Sequence, residues 1–246
     1  MRAGAVRRPT PAPGMASTFD PFGAAHLLIL TITAASVVAL VAVARRRASR
    51  LPVIRSALGL ALAATALAWY GYLFAIDAVR FPDTLPLDLC DVALWVTVAA
   101  ALTRNRSALE VAYFVGVGGS TMALLMPDLR GPLLSWPVLV FFLTHGLVAA
   151  TPLVLIASGA CRPRPGSARR VFVLANAYAA AVALFNVAFG TNYMYICRKP
   201  ANPSLLDYFG PWPLYVIAGE LFAALVFWAL WLPFRRAADG RDAAPR

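Results

Sequence analysis

Apolar residues dominate seven stretches of the chain, 24–44, 54–78, 87–103, 107–126, 138–159, 168–189 and 213–233, and the polar residues gather between them. Each stretch is 17–25 residues long, the length an α-helix needs to cross roughly 30 Å of hydrocarbon. A backbone in lipid must satisfy its own hydrogen bonds, so each stretch is predicted to be a helix. The pattern predicts an all-α, polytopic membrane protein, a seven-transmembrane-helix bundle spanning 21–235 as one domain. The flanking residues, 1–20 and 236–246, read as a disordered N-terminal tail and a cytoplasmic tail.

Charge adds an orientation. One set of turns carries fifteen arginines, among them Arg45, Arg46, Arg47, Arg104, Arg106, Arg162, Arg164 and Arg170. The opposite set carries only Arg80, Arg130, Arg198 and Lys199. Positive residues mark the cytoplasmic side, which puts the N-terminus outside and the C-terminus inside. The net charge of +11 is thus a topology signal, and nucleic acid is not an expected partner. The first fourteen residues, MRAGAVRRPTPAPG, have no apolar core and are not a signal peptide; Met15 is an alternative start. No internal repeat divides the chain into the matched halves of many transporters.

Charged and titratable residues inside spans are costly and default to functional candidates. Here they share a depth in the outer half. Asp88, Cys90 and Asp91 open the third helix, His145 lies seven residues into the fifth and Glu220 seven past Pro213 in the seventh. Asn192 and Tyr193 begin the longest loop, 190–212, at the same level, and Arg198 and Lys199 follow. These residues are expected to converge on one outer pocket. Each also has a plainer role. Asp88 and Asp91 suit the positive end of a helix dipole, His145 suits an interhelical hydrogen bond, Glu220 suits a pair with Arg198, and His26 reads as structural.

Cys161 falls in a cytoplasmic turn, whereas Cys90 and Cys197 both fall outside, where a disulfide between them is permitted. The alternative makes Cys90 a nucleophile, placed in a first helical turn, with His145 as base and Asp91 orienting the histidine. The carboxylate next to Cys90 partly opposes thiolate formation. No metal-ligand spacing, CxxC, phosphate-binding glycine loop or GxSxG is present, and no cofactor is expected.

The stretches LPLDLCD (85–91), FFLTHG (141–146) and GTNYMYICRKPANPSLLDYFGPWPLY (190–215) resemble those of the bacterial YwaF-like integral membrane proteins, over about residues 20 to 235. Members often carry His where this chain has Asp88. The family is similar, more distantly, to eukaryotic multi-pass enzymes of lipid metabolism, one group a cysteine-dependent acyltransferase of ether phospholipids and another a threonine-dependent hydrolase of fatty-acid esters. The resemblance implies Cys90 as nucleophile and His145 as its partner.

Three functions follow. An acyltransferase or acyl-ester hydrolase of the cell membrane uses Cys90 and His145, with Asn192 or backbone amides at the oxyanion and Arg198 and Lys199 at a lipid phosphate. A transporter or small-ligand receptor uses the carboxylates Asp77, Asp88, Asp91 and Glu220. A structural protein needs neither.

Overall fold

The computed structural model describes residues 19–129, 131–200 and 204–239. The readings for residues 1–18, Arg130 and residues 240–246 fall outside the described residues. The described residues form seven long helices, joined by loops and short 3₁₀ turns, and contain no strand. We number the helices α1 (Ala24–Arg46), α2 (Leu51–Ala75), α3 (Leu89–Thr103), α4 (Arg106–Leu125), α5 (Trp136–Ala157), α6 (Ser167–Phe189) and α7 (Leu214–Asp239). Each coincides with one predicted stretch. The last runs to Asp239, so residues 236–239 continue the helix rather than begin a tail. Six are long and apolar enough to cross a membrane, whereas α3 has only 15 residues.

Local chemistry sets the boundaries. Proline occupies the first turns of α2 and α5, where the missing amide hydrogen is not needed. Arg104 ends α3 in the left-handed region at φ 60°, and the side chain of Asn105 then accepts the Ala108 amide at 3.0 Å to cap α4. Arg55 of α2 donates to the carbonyls of Ala101 and Leu102, which α3 itself leaves unpaired. Helix α4 widens into a π-helical segment over Ala112–Val117, all of it buried. A Cβ on Gly116 there would stand 3.1 Å from Val148 Cγ1, so glycine lets α4 and α5 approach closely.

Helix α5 packs against α1, α2, α3 and α4 and is the hub of the bundle. Leu62, Leu94, Val98, Phe114, Val148 and Phe227 form the main core between the helices. Helices α1 and α7 bury little inside the protein, as expected where apolar surface faces lipid tails rather than a core.

Both ends of the bundle are fastened by polar side chains. At the arginine-rich end, Glu110 is buried on α4. It accepts the Arg164 amide at 2.7 Å, Arg164 Nε at 2.9 Å and Arg164 Nη2 at 2.7 Å, and Arg170 lies 3.7 Å away. Glu110 thereby holds the Arg164 guanidinium charged above its already high ordinary range and pins the α5–α6 turn to α4. At the other end His26 is fully buried. Its Nδ1 accepts the Phe22 amide at 2.8 Å and its Nε2 lies 2.7 Å from the Leu124 carbonyl, so both ring nitrogens are engaged within the fold.

Candidate functional site

The loop that follows α6 organises the non-arginine end. Asn186, fully buried in the last turn of α6, donates to the Tyr193 carbonyl at 2.9 Å. Its Oδ1 accepts Thr191 Oγ1 at 2.8 Å and the Tyr193 amide at 2.9 Å. Tyr193 then reaches across to the α2–α3 loop, where its hydroxyl accepts the Leu85 amide at 2.8 Å and donates to the Pro82 carbonyl at 2.6 Å. Burial raises that hydroxyl above its ordinary range, with the Leu85 amide opposing. Tyr178 of α6 donates to the Leu87 carbonyl at 2.9 Å. The Met194 amide donates to Asp88 Oδ1 at 2.7 Å. These contacts fix the chain directly ahead of Cys90.

Beneath this lashing, a cavity of about 280 Å³ lies between α2, α3 and α5. Its wall includes Trp69, Tyr70, Cys90, Asp91, Phe141 and His145. Ala66 and Leu94 belong both to the wall and to the main core. Cys90 is an exposed free thiol. His145 is half-buried, with its ring 4.2 Å from that of Phe141. Its Nδ1 lies 2.8 Å from the Phe141 carbonyl oxygen. A carbonyl can only accept, so Nδ1 carries the hydrogen and Nε2 presents a lone pair. The orienting group expected at Asp91 is therefore a backbone carbonyl one turn away in α5. Asp91 lines the same cavity, and its carboxylate makes no ion pair among the described residues.

The remaining predicted residues lie elsewhere, and the single expected pocket resolves into two. Glu220 lines a separate cavity of about 340 Å³ between α6, α7 and the loop that joins them, and no ion pair joins it to Arg198. Asn192 folds its own loop. Its Oδ1 accepts the amides of Cys197 and Arg198 at 3.1 and 2.9 Å, and its Nδ2 donates to the Arg198 carbonyl at 2.8 Å. Arg198 is exposed, and Lys199 sits 3.8 Å from Asp207 and 5.5 Å from the centre of the Tyr215 ring. Asp77 is exposed and paired with Arg80 at 2.8 Å. Cys197 is a free thiol like Cys90, so the bridge considered between them is absent. Among the described residues no group of three His, Cys, Asp or Glu side chains is arranged to hold a metal ion.

Sequence reasoning passed over Asn186, Tyr178 and Phe141. Asn186 left a signal, as a lone amide in an apolar helix end just before Gly190-Thr191-Asn192. Phe141 left none, because it acts through its backbone.

Six spanning-length apolar helices and a seventh shorter one define an integral, multi-pass helical membrane protein. Residues 21–232 match the model of the TMEM164 family, and the chain belongs to that family. No curated protein and no solved structure matches it.

Proposed function

We propose that the protein is a membrane-embedded acyltransferase or acyl-ester hydrolase acting on lipids, with Cys90 as nucleophile and His145 as general base. The observation that carries this reading is that both residues line one cavity while the Phe141 carbonyl leaves His145 Nε2 able to accept a proton. Cavities of this size, walled by aromatic side chains with a few polar groups, are the usual form of small-molecule sites. The resemblance of 85–91 and 141–146 to the YwaF-like proteins, and through them to cysteine-dependent lipid acyltransferases, supports the same pair.

The chemistry runs in two balanced halves. His145 Nε2 takes the thiol proton as sulfur attacks the ester carbonyl of a donor lipid. The carbon–oxygen bond breaks, the proton passes to the leaving alkoxide, and an acyl-thioester remains on Cys90. An acceptor hydroxyl, or water, then gives its proton to Nε2 and attacks the thioester, and the proton returns to sulfur. Asp88 and Asp91 flank Cys90 and oppose a standing thiolate, so proton removal accompanies attack. Asn192 is occupied by its own loop. The Asp91 and Val92 amides already donate to the Asp88 carbonyl, so the oxyanion role passes to the Leu89 and Cys90 amides at the start of α3. Arg198 and Lys199 stay at the rim, within the loop that faces headgroups when the N-terminus is outside and the C-terminus cytoplasmic. A cell-membrane location and a bacterial, YwaF-like grouping accompany this reading.

Transport fits less well. A transported solute needs a polar path onward, and the main core that continues from Leu94 of the cavity wall is built of Val98, Phe114 and Val148.

The test is alkylation of Cys90 in detergent-solubilised protein, read by mass spectrometry across pH, beside lipid profiling of Cys90→Ser and His145→Ala. Cys90 reactivity lost in His145→Ala, with acyl-chain composition altered in both variants, is the expected result. Wild-type lipid profiles in both well-expressed variants exclude the reading.

A further inference from the structure

The Glu220 cavity holds an unusual combination of groups. Among its wall residues Glu220 is the only charged one, and it makes no ion pair among the described residues. Asn176 faces it from α6. The Asn176 amide nitrogen gives one of its two hydrogens to the Phe172 carbonyl at 3.1 Å, which leaves Oδ1 and one N–H to offer. Tyr195 and Tyr215 line the cavity with their hydroxyls engaged elsewhere, donating to Asp128 at 2.7 Å and to the Tyr195 carbonyl at 2.8 Å. The Met194 and Tyr195 amides are engaged too, with Asp88 and with the Asn192 carbonyl. The wall therefore offers a carboxylate, one side-chain amide and aromatic faces. The Tyr215 face already attracts one ammonium, that of Lys199. Such a set recognises a cation with an apolar body and has little to give an anion. Room is available beside Gly219, where an added Cβ meets nothing within 4 Å.

The same loop residues bond to chain neighbours of the other cavity's wall. Met194 and Tyr195 are consecutive and both left-handed, at φ 58° and 54°, a conformation that costs a non-glycine residue free energy and is held by its surroundings. Met194 grips Asp88, two residues before Cys90. Tyr195 grips Asp128, next to Leu129 on the wall of the Cys90 cavity.

We propose that the Glu220 cavity binds an organic ammonium group, and that its occupancy is transmitted to the Cys90 cavity through Met194 and Tyr195. The site is distinct from the Cys90–His145 pair, and its binding does not depend on acyl transfer. The ammonium belongs either to a zwitterionic lipid headgroup or to a soluble amine.

The test uses the full chain in phosphatidylglycerol nanodiscs with radiolabelled choline as probe. Choline binds, is displaced by ethanolamine and is not displaced by its uncharged isostere 3,3-dimethylbutanol. Glu220→Gln weakens binding about tenfold or more, and Gly219→Leu, which fills the space without touching the charge, does the same. Binding suppressed in phosphatidylcholine nanodiscs identifies a headgroup site, and equal binding in both lipids identifies a soluble amine. Absence of choline binding in phosphatidylglycerol, or binding untouched by both variants, overturns the site. Choline is further expected to change the rate of Cys90 alkylation about twofold or more in the wild type and not in Glu220→Gln. An unchanged wild-type rate overturns the coupling while leaving the Cys90–His145 reading to its own test.

Discussion

The hydrogen bond from His145 to the Phe141 carbonyl leaves Nε2 as the ring nitrogen with which the proposed base would act. Removing the base should cost about 10²–10⁴-fold in turnover, so His145→Ala and Cys90→Ser are both expected to lose lipid acyl transfer or hydrolysis while remaining monodisperse on size exclusion. Asp91→Asn should spare the tautomer, because Asp91 does not hold the ring, and so should reduce turnover much less than His145→Ala. A kcat for Asp91→Asn as low as that of His145→Ala would return the orienting role to the carboxylate. The sequence made this pair legible as a shared depth, since both positions count in from loop ends. It did not make the partners of Asn186, Tyr193 and Tyr178 legible. Tyr193 and Tyr178 bond to backbone groups of the distant α2–α3 loop, and Asn186 bonds to the backbone of Tyr193 besides the Thr191 hydroxyl; backbone partners carry no residue-type signal.

Among the elements, two junctions bear most on stability. Glu110 is buried on α4 and receives three hydrogen bonds from Arg164. Glu110→Ala is expected to lower Tm clearly, and Glu110→Gln less, because the amide keeps one acceptor for the Arg164 backbone. Equal melting of both variants would mean that shape, not the acceptor, holds the α5–α6 turn. The second junction is the left-handed pair in the loop between α6 and α7. Met194→Val is expected to destabilise by about 1–2 kcal/mol, since a β-branched side chain fits the left-handed region poorly. Met194→Gly should leave Tm unchanged or raise it, an outcome readable in the same thermal scan. Helix existence was legible from hydrophobic runs alone. The π-helical segment in α4 was not, because Ala112–Val117 is as apolar as an ordinary helical turn.

At the level of the molecule, the arginine asymmetry makes a claim about sidedness. Cys161 lies in the arginine-rich turn and Cys197 in the opposite loop. An impermeant maleimide is expected to label Cys197 from outside intact cells and Cys161 only after the inner face is opened. Labelling of both from one side would break the positive-inside assignment. The expectation of one convergent pocket failed at this scale for a geometric reason. Depth along the membrane normal is readable from counting residues, whereas the order of helices around the bundle is not, and α6 and α7 carry Glu220 to their own cavity.

A helix of 15 residues rises roughly 22 Å, about 8 Å short of a typical hydrocarbon slab. Arg104 and Arg106 hold the lower end of α3 at one interface, so the deficit gathers at the end that bears Cys90. Lipids beside α2 and α3 there must dip to meet it. A dimpled leaflet lowers the ester linkages, which sit just under the headgroups, toward the thiol without extracting the lipid. On the proposed acyl-transfer reading, bilayer thickness then becomes a control on activity, with long-chain, thicker membranes lifting a lipid ester away from Cys90 and thinner ones delivering it.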